Sequence, residues 1–219
     1  VADHGTIAGR DDRFLYLHKP AGIHVFPPHA DPDGDCLLRR LIEDAPEQRD
    51  VTPDPAFAGG ILHRLDRHTS GLVIAARTPE ALTEGRARFA THTLEKVYRF
   101  RTAARPAWTE NRCAALLAHD RRRKSKMVWQ RGRSTPHRGK WYPAETSFRR
   151  LGDGLWEARM KTGVTHQIRV HAAAVGLALL GDRLYGAAPH PDDRYFLHHR
   201  GIPGWDGAPL LDAPWAVSP

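Results

Sequence analysis

A chain of 219 residues with 41% hydrophobic and 26% charged side chains is long enough for a sizeable core and too apolar to stay disordered. Its longest apolar runs, such as 172–180, are far shorter than the roughly 20 residues of a membrane span; no charged-then-apolar secretion signal opens it, and Cys36 and Cys113 suit neither a disulfide framework nor a metal site, so a compact cytoplasmic protein is expected. The net charge of +8 is local: nine of the 33 Lys and Arg (Arg121, Arg122, Arg123, Lys124, Lys126, Arg131, Arg133, Arg138 and Lys140) lie between residues 121 and 140 with no acid among them, the footprint of phosphate neutralisation or of a solvated loop.

Residues 13–18 alternate, with Phe14 and Tyr16 on one face, and Lys19-Pro20-Ala21-Gly22 then breaks the strand with a turn. Asp35 is placed to cap a helix that carries Leu37, Leu38, Leu41, Ile42 and Ala45 on one face and that Pro46 closes. Prolines 46, 53 and 55 with Gly59 and Gly60 make 46–60 a loop. The unbroken apolar run 72–75 reads as a buried strand, and Thr78-Pro79-Glu80 starts a helix that runs to about Ala90. Residues 96–102 alternate again, setting Tyr98 and Phe100 on one face and Val97, Arg99 and Arg101 on the other. Trp129 and Trp141, in or beside the basic stretch, can stack on bases or pin the loop to the core. Residues 155–160 form another alternating strand; Gly163 permits a turn, and Ile168, Ala172 and Val175 repeat at helical spacing up to Gly176. Phe14, Phe89, Phe100 and Trp156 are expected in the core.

The most chemically loaded stretch is His63-Arg64-Leu65-Asp66-Arg67-His68-Thr69-Ser70-Gly71-Leu72. It sets one carboxylate, Asp66, between Arg64 and Arg67, ahead of small residues that allow a tight turn and close approach by a ligand backbone. Opposite charge favours an ionised acid, which suits a nucleophile or base and not a general acid. A turn cap or a surface ion pair accounts for the same spacing, and both readings stand on these residues alone.

Taken together, the segments resemble the RluA-type pseudouridine synthase family. The resemblance is carried by Lys19-Pro20-Ala21-Gly22, by His63 to Gly71, by Lys96-Val97-Tyr98, by Thr162-Gly163-Val164-Thr165-His166-Gln167-Ile168-Arg169-Val170-His171, by Gly181-Asp182 and Leu184-Tyr185-Gly186, and by Leu197-His198, in the family's order. It implies a single catalytic domain over 1–219 with an α+β fold: a curved, mostly antiparallel sheet, flanking helices and a central RNA-binding cleft. It also implies isomerisation of uridine to pseudouridine in a structured RNA, a ribosomal or transfer RNA stem-loop, by a monomer that needs no metal or organic cofactor. In that reading Asp66, Tyr98 and Arg169 are catalytic. Asp66 opens the glycosidic link, Tyr98 lies against the uracil as base for the C5 proton, and Arg169 pairs with Asp66. Leu197 walls the base, Arg64 fills the space left by the everted nucleotide, and Lys19 with Arg121, Arg122, Arg123, Lys124 and Lys126 completes the substrate-binding set, Lys19 by a positioning role at its turn.

Val164 stands where the family carries Arg or another polar residue, so that position is expected to offer no phosphate ligand. Residues 201–219 lack the family's closing His-Pro and Phe pattern, and residues 1–10 are too short for the small N-terminal RNA-binding domain of many relatives. Gly181 and Asp182 are expected to set a turn, with Tyr185 packing or touching RNA. Histidine pairs 24/29, 63/68 and 166/171 are each five apart, which turns them about 140° on a helix and onto opposite faces of a strand. No zinc site is expected, and His166 and His171 read as hydrogen-bonding supports for the helix of Arg169. Two other classes compete. A catalytically inert RNA-binding or RNA-chaperone module would need the charge but not Asp66, Tyr98 and Arg169; a glycoside hydrolase would need a second acid beside Asp66.

Overall fold

The computed structural model describes residues 6–216, which divide into two units, one of residues 6–96 and 198–214 and the other of 97–197 and 215–216. Of the terminal stretches 1–10 and 201–219, residues 1–5 and 217–219 lie outside the described residues. In chain order the elements are β1 (Ile7–Arg10), β2 (Phe14–Lys19), α1 (Leu37–Asp44), β3 (Thr69–Ala76), α2 (Pro79–Ala90), β4 (Lys96–Arg101), β5 (Glu110–Cys113), β6 (Leu117–Asp120), β7 (Met127–Trp129), β8 (His137–Tyr142), β9 (Thr146–Gly152), β10 (Leu155–Met160), α3 (Gln167–Ala174) and β11 (Leu197–Gly201). The architecture is mixed α+β with mostly antiparallel pairing.

In the first unit the strands neighbour one another in the order β1-β2-β3-β11. The β2–β3 ladder is antiparallel from Phe14 opposite Ala76 to Lys19 opposite Gly71. All eight residues of β3 are buried, which is why its sequence reads as an apolar run and not as an alternation. Phe14, Tyr16, Leu72 and Ile74 face Ala81 and Leu82 of α2 in one core. That helix starts as the sequence dictates, with Thr78 Oγ1 accepting from the Ala81 N–H at 3.2 Å and Pro79 in the first turn. The other expected cap is different: Asp35 turns its carboxylate to Arg40, and Cys36 holds the cap position of α1 with no side-chain bond. A fork of guanidinium donors on the first turn outcompetes the backbone for that acid. The 46–60 loop contains two short 3-10 turns, Pro46–Asp50 and Pro55–Gly60, each led by its proline. Trp205, from the C-terminal stretch, is 2% exposed and packs edge-on against Phe14 at 5.0 Å between centroids, so this stretch supplies core material.

In the second unit the strands run β4-β10-β9-β5, and a separate three-stranded sheet runs β7-β6-β8. The small sheet and α3 share one core, built from Leu117, Met127, Ala144, Val170 and Tyr185 with Trp129, Val164 and Ala173 packed against it. Full burial of a side chain such as Val170 contributes roughly 1.5–3 kcal/mol, so this core fixes α3 to the sheet. Val164 is one of the apolar side chains packed against this core. His166 precedes α3 at φ +55°, a left-handed conformation that costs a non-glycine residue about 1–3 kcal/mol and persists only where neighbours hold it.

Candidate active site

In the first unit the site is a loop held from below. Asp66, half-buried, lies between the apolar anchor Leu65 and a turn at 67–68, and its carbonyl accepts from the Thr69 N–H at 3.0 Å as the chain enters β3. The loop is tied to the Lys19–Gly22 turn on both sides. Gly22 N–H donates to the Arg67 carbonyl at 2.9 Å, and Arg67 Nε donates to the Gly22 carbonyl at 2.8 Å. Lys19, 0% exposed, donates from Nζ to the carbonyls of Pro20, Ile23 and Arg67 at 2.9, 2.8 and 3.0 Å. Burial pulls its ammonium down to about 7 while the charge of Asp66 works against this. One carbonyl for each N–H is the acceptor set of an ammonium, and that form closes the clasp. Lys19 thus points at backbone, enclosed by its own turn and the Arg67 carbonyl. Arg64 is exposed. His24 carries less proton affinity than an ordinary imidazole, through burial first and then the charges of Arg67, Lys19 and Arg64.

The small residues after Asp66 have another use than the ligand approach expected of them. Thr69 and Ser70 are buried strand residues, and Ser70 Oγ is 2.9 Å from His198 Nδ1. Gly71 has φ +116°, and a Cβ there would sit 2.1 Å from the carbonyl oxygen of His199. The backbone that approaches Gly71 is that of β11. Behind the loop, His199 Nδ1 is 2.6 Å from the Leu72 carbonyl, and His63 Nε2 accepts from the Ile74 N–H at 3.2 Å. Burial above all holds both imidazoles neutral, His199 at about 4 and His63 well below its ordinary value.

In the second unit Tyr98 lies on β4 and is 5% exposed; Leu197, at the head of β11, is also 5% exposed. Arg169 sits on α3 and is 7% exposed. Its Nε and Nη2 meet the two oxygens of Asp182, itself 1% exposed, at 2.7 and 2.9 Å, and its guanidinium carbon is 4.2 Å from the ring centre of Tyr195 and 5.0 Å from that of Tyr185. Asp182, which the sequence presents as a turn residue, is the fork partner of a buried cation. The available signal was the mismatch itself: a guanidinium on a helix whose neighbours are apolar requires a carboxylate. His171 bonds Thr146 Oγ1 and the Ala115 carbonyl, both at 2.9 Å, and His166 Nδ1 lies 2.8 Å from the Tyr185 hydroxyl.

Five of the nine cations of the basic stretch lie in the turn joining β6 to β7. Arg121, Arg122, Arg123 and Lys124 are exposed and Lys126 is half-buried. Asp120 Oδ1 accepts from the Arg122 and Arg123 N–H groups, both at 2.8 Å, which closes the turn and leaves the side chains outward. Arg131 lies 4.5 Å from the ring centre of Trp129, and His137 stacks on Trp141 at 4.3 Å. Among the described residues no helix is long and apolar enough to cross a membrane, and no group of three or more His, Cys, Asp or Glu is placed to hold a metal ion.

An acid on a clasped loop in the first unit and, in the second, an exposed cationic turn each fit an enzyme that modifies nucleic acid. The family model described as RNA pseudouridylate synthase matches residues 13–174, and the chain belongs to this family. It is 30% identical over 217 residues to RNA pseudouridine synthase 2, chloroplastic, of Oryza sativa subsp. japonica, covering 82% of this chain and 49% of that protein. It is 32% identical over 184 residues to ribosomal large subunit pseudouridine synthase D of Zymomonas mobilis, covering 82% of this chain and 55% of that protein. The chain thus spans about half the length of the curated relatives it matches. In fold it is similar to the solved structure of human RNA pseudouridylate synthase domain containing 1, with a TM-score of 0.70 at 21% identity over 90% of this chain and 77% of that one.

Proposed function

We propose that this chain isomerises uridine to pseudouridine in structured RNA, acting as a cytoplasmic monomer without a metal or organic cofactor. The bond from N1 to C1′ breaks, a bond from C5 to C1′ forms, the proton at C5 is lost to solvent, and N1 takes up a proton in its place, so that product and substrate are isomers. The observation that carries the reading is the lone carboxylate of Asp66 on a loop whose backbone is clasped by a buried ammonium, within a chain of this family. Asp66 opens the glycosidic link, Tyr98 takes the C5 proton, and Arg169 pairs with Asp66. Leu197 walls the uracil, and Arg64 enters the gap left by a nucleotide whose eversion costs a few kcal/mol. An isomerase must hold off water until the freed base has turned and rebonded, which suits one acid with Tyr98 and Leu197 about the base better than the two acids of a hydrolase. Arg121, Arg122, Arg123, Lys124 and Lys126 contact phosphates, while Lys19 acts on the loop. The names of the relatives make ribosomal RNA the first substrate to assay, and transfer RNA the second.

The test is release of tritium from RNA labelled at C5 of uridine. The wild-type chain releases it and Asp66→Asn does not; an inert RNA-binding module or a hydrolase releases none from either. Replacing the five cations between 121 and 126 by Gln weakens RNA binding and flattens its salt dependence by about 0.7–0.9 log units for each phosphate no longer neutralised, without abolishing turnover at saturating RNA. A fall in turnover at unchanged affinity would remove those residues from the binding set.

A further inference from the structure

One short turn in the second unit grips two things at once. Residues Arg183–Tyr185 form a 3-10 turn capped by Asp182. At its start Asp182 holds the Arg169 guanidinium by two bonds. At its end the Tyr185 hydroxyl accepts from the Met127 N–H at 3.0 Å and sits 2.8 Å from His166 Nδ1. Met127 follows Lys126, the last cation of the basic turn, and the Lys126 ammonium is 5.7 Å from the centre of the Tyr185 ring. The basic turn is itself closed, by Lys126 N–H on the Arg123 carbonyl at 3.0 Å and Asp120 N–H on the Lys126 carbonyl at 2.9 Å. Its displacement therefore reaches the hydroxyl as that of one body. His166, in turn, is the strained residue that begins the helix of Arg169.

Tyr185 is 8% exposed, so its hydroxyl has little reason to be there for solvent or RNA. A phenylalanine would fill the same core; the oxygen is explained by its two partners. One O–H to give and lone pairs to receive match a neutral imidazole nitrogen on one side and an amide N–H on the other. We infer that Tyr185 is a positioning residue that couples the seating of RNA on the basic β6–β7 turn to the orientation of Arg169. The inference rests on the isomerase reading for the role of Arg169, and the coupling is measurable without turnover. Polyanion binding draws the turn outward or inward; Met127 carries the shift to the hydroxyl, and the turn 182–185 passes it to the fork on Arg169.

The experiment compares the full chain with Tyr185→Phe, which keeps the ring beside Arg169 and Lys126 and removes the two hydroxyl bonds. The first measurement follows the Nε–H signal of Arg169 in arginine-labelled protein as a short RNA stem-loop without uridine is added, so that no base enters the site. The wild-type signal shifts on binding; in Tyr185→Phe it stays, with affinity within about threefold, a difference under 1 kcal/mol. A silent wild-type signal, or an equal shift in the variant, overturns the coupling. The second measurement uses a transcript of large-subunit ribosomal RNA: Tyr185→Phe lowers kcat roughly tenfold with KM little changed, and the loss vanishes when Arg121, Arg122, Arg123 and Lys124 are already Gln, as it must for residues acting through one another. A loss that persists unchanged in that background marks a merely structural tyrosine and overturns the inference. Absence of any Asp66-dependent tritium release sinks the isomerase reading instead, and the first measurement then decides the coupling alone.

Discussion

The two units solve one problem in different materials. In the first, the acid loop is placed through backbone: the carbonyl of Arg67 is caught by Lys19 and Gly22, and Asp66 rides on the result. In the second, Arg169 is placed through side chains, by a two-bond fork to Asp182 between two tyrosine rings. A backbone clasp fixes where a loop lies. A charge fork fixes a side chain itself, at the cost of burying two ions that then depend on each other. The second arrangement is stiffer and more fragile to a single substitution.

The comparison breaks most readily at the fork. Asp182→Ala takes from the buried guanidinium the carboxylate that meets two of its N–H groups, and breaking a buried pair from one side costs about 3–5 kcal/mol, a melting midpoint lower by roughly 10 °C for a chain of this size. A midpoint within about two degrees of wild type, on the order of the error in such a fit, would show that the fork is not what holds Arg169.

Acid sharpens the contrast from the other side. His63 and His199 stand behind the Asp66 loop, and both are neutral in the fold, His199 at about 4 against an ordinary 6.5, because burial penalises the charged ring. The unfolded chain takes up these protons first as pH drops. Stability is therefore full above about pH 6.5 and is lost as pH falls toward 4, with His199 alone accounting for about 3 kcal/mol. Thermal melts between about pH 7 and pH 4.5 read this directly; a flat midpoint across that window refutes two neutral rings behind the loop.

The smallest of the three effects tests the clasp. Lys19→Met keeps an unbranched chain of similar length but takes the Nζ donor from the Pro20 and Ile23 carbonyls and leaves the Arg67 carbonyl to the Gly22 N–H, for a loss of about 1–3 kcal/mol. Turnover falls more than stability does, and KM for RNA stays near wild type, because the loop moves while the basic turn does not. Wild-type kcat in Lys19→Met would mean that the two Gly22–Arg67 bonds place the loop unaided.

Legibility in the sequence follows the range of the forces involved. The starts of α2 and β10 are local matters of a hydroxyl, a proline and an alternation, and they fall where the residues place them. The motif around Asp66 is legible because its residue types are dense and ordered. Asp35 misleads since its competitor, Arg40, lies one turn away on the same helix. Gly71 points from the sequence to a ligand, when its neighbour is another part of the chain, the His199 carbonyl; Val164, expected to offer no phosphate ligand, packs into the small-sheet core.

The sequence by itself determined β2, β3, β4, β10 and the three helices, the acid of the motif, the concentration of charge between 121 and 140 and the family to which these belong, because each is written in residue type and near spacing, whereas the strands between 110 and 152 were not read from it. Only the tertiary structure decided that Lys19 is spent on three carbonyls, that Asp182 belongs to Arg169 and that Tyr185 joins the basic turn to the helix behind it. Those pairings join residues up to 58 positions apart. They arise because a polar group carried into a core must find a partner there, and which partner is within reach is settled by packing.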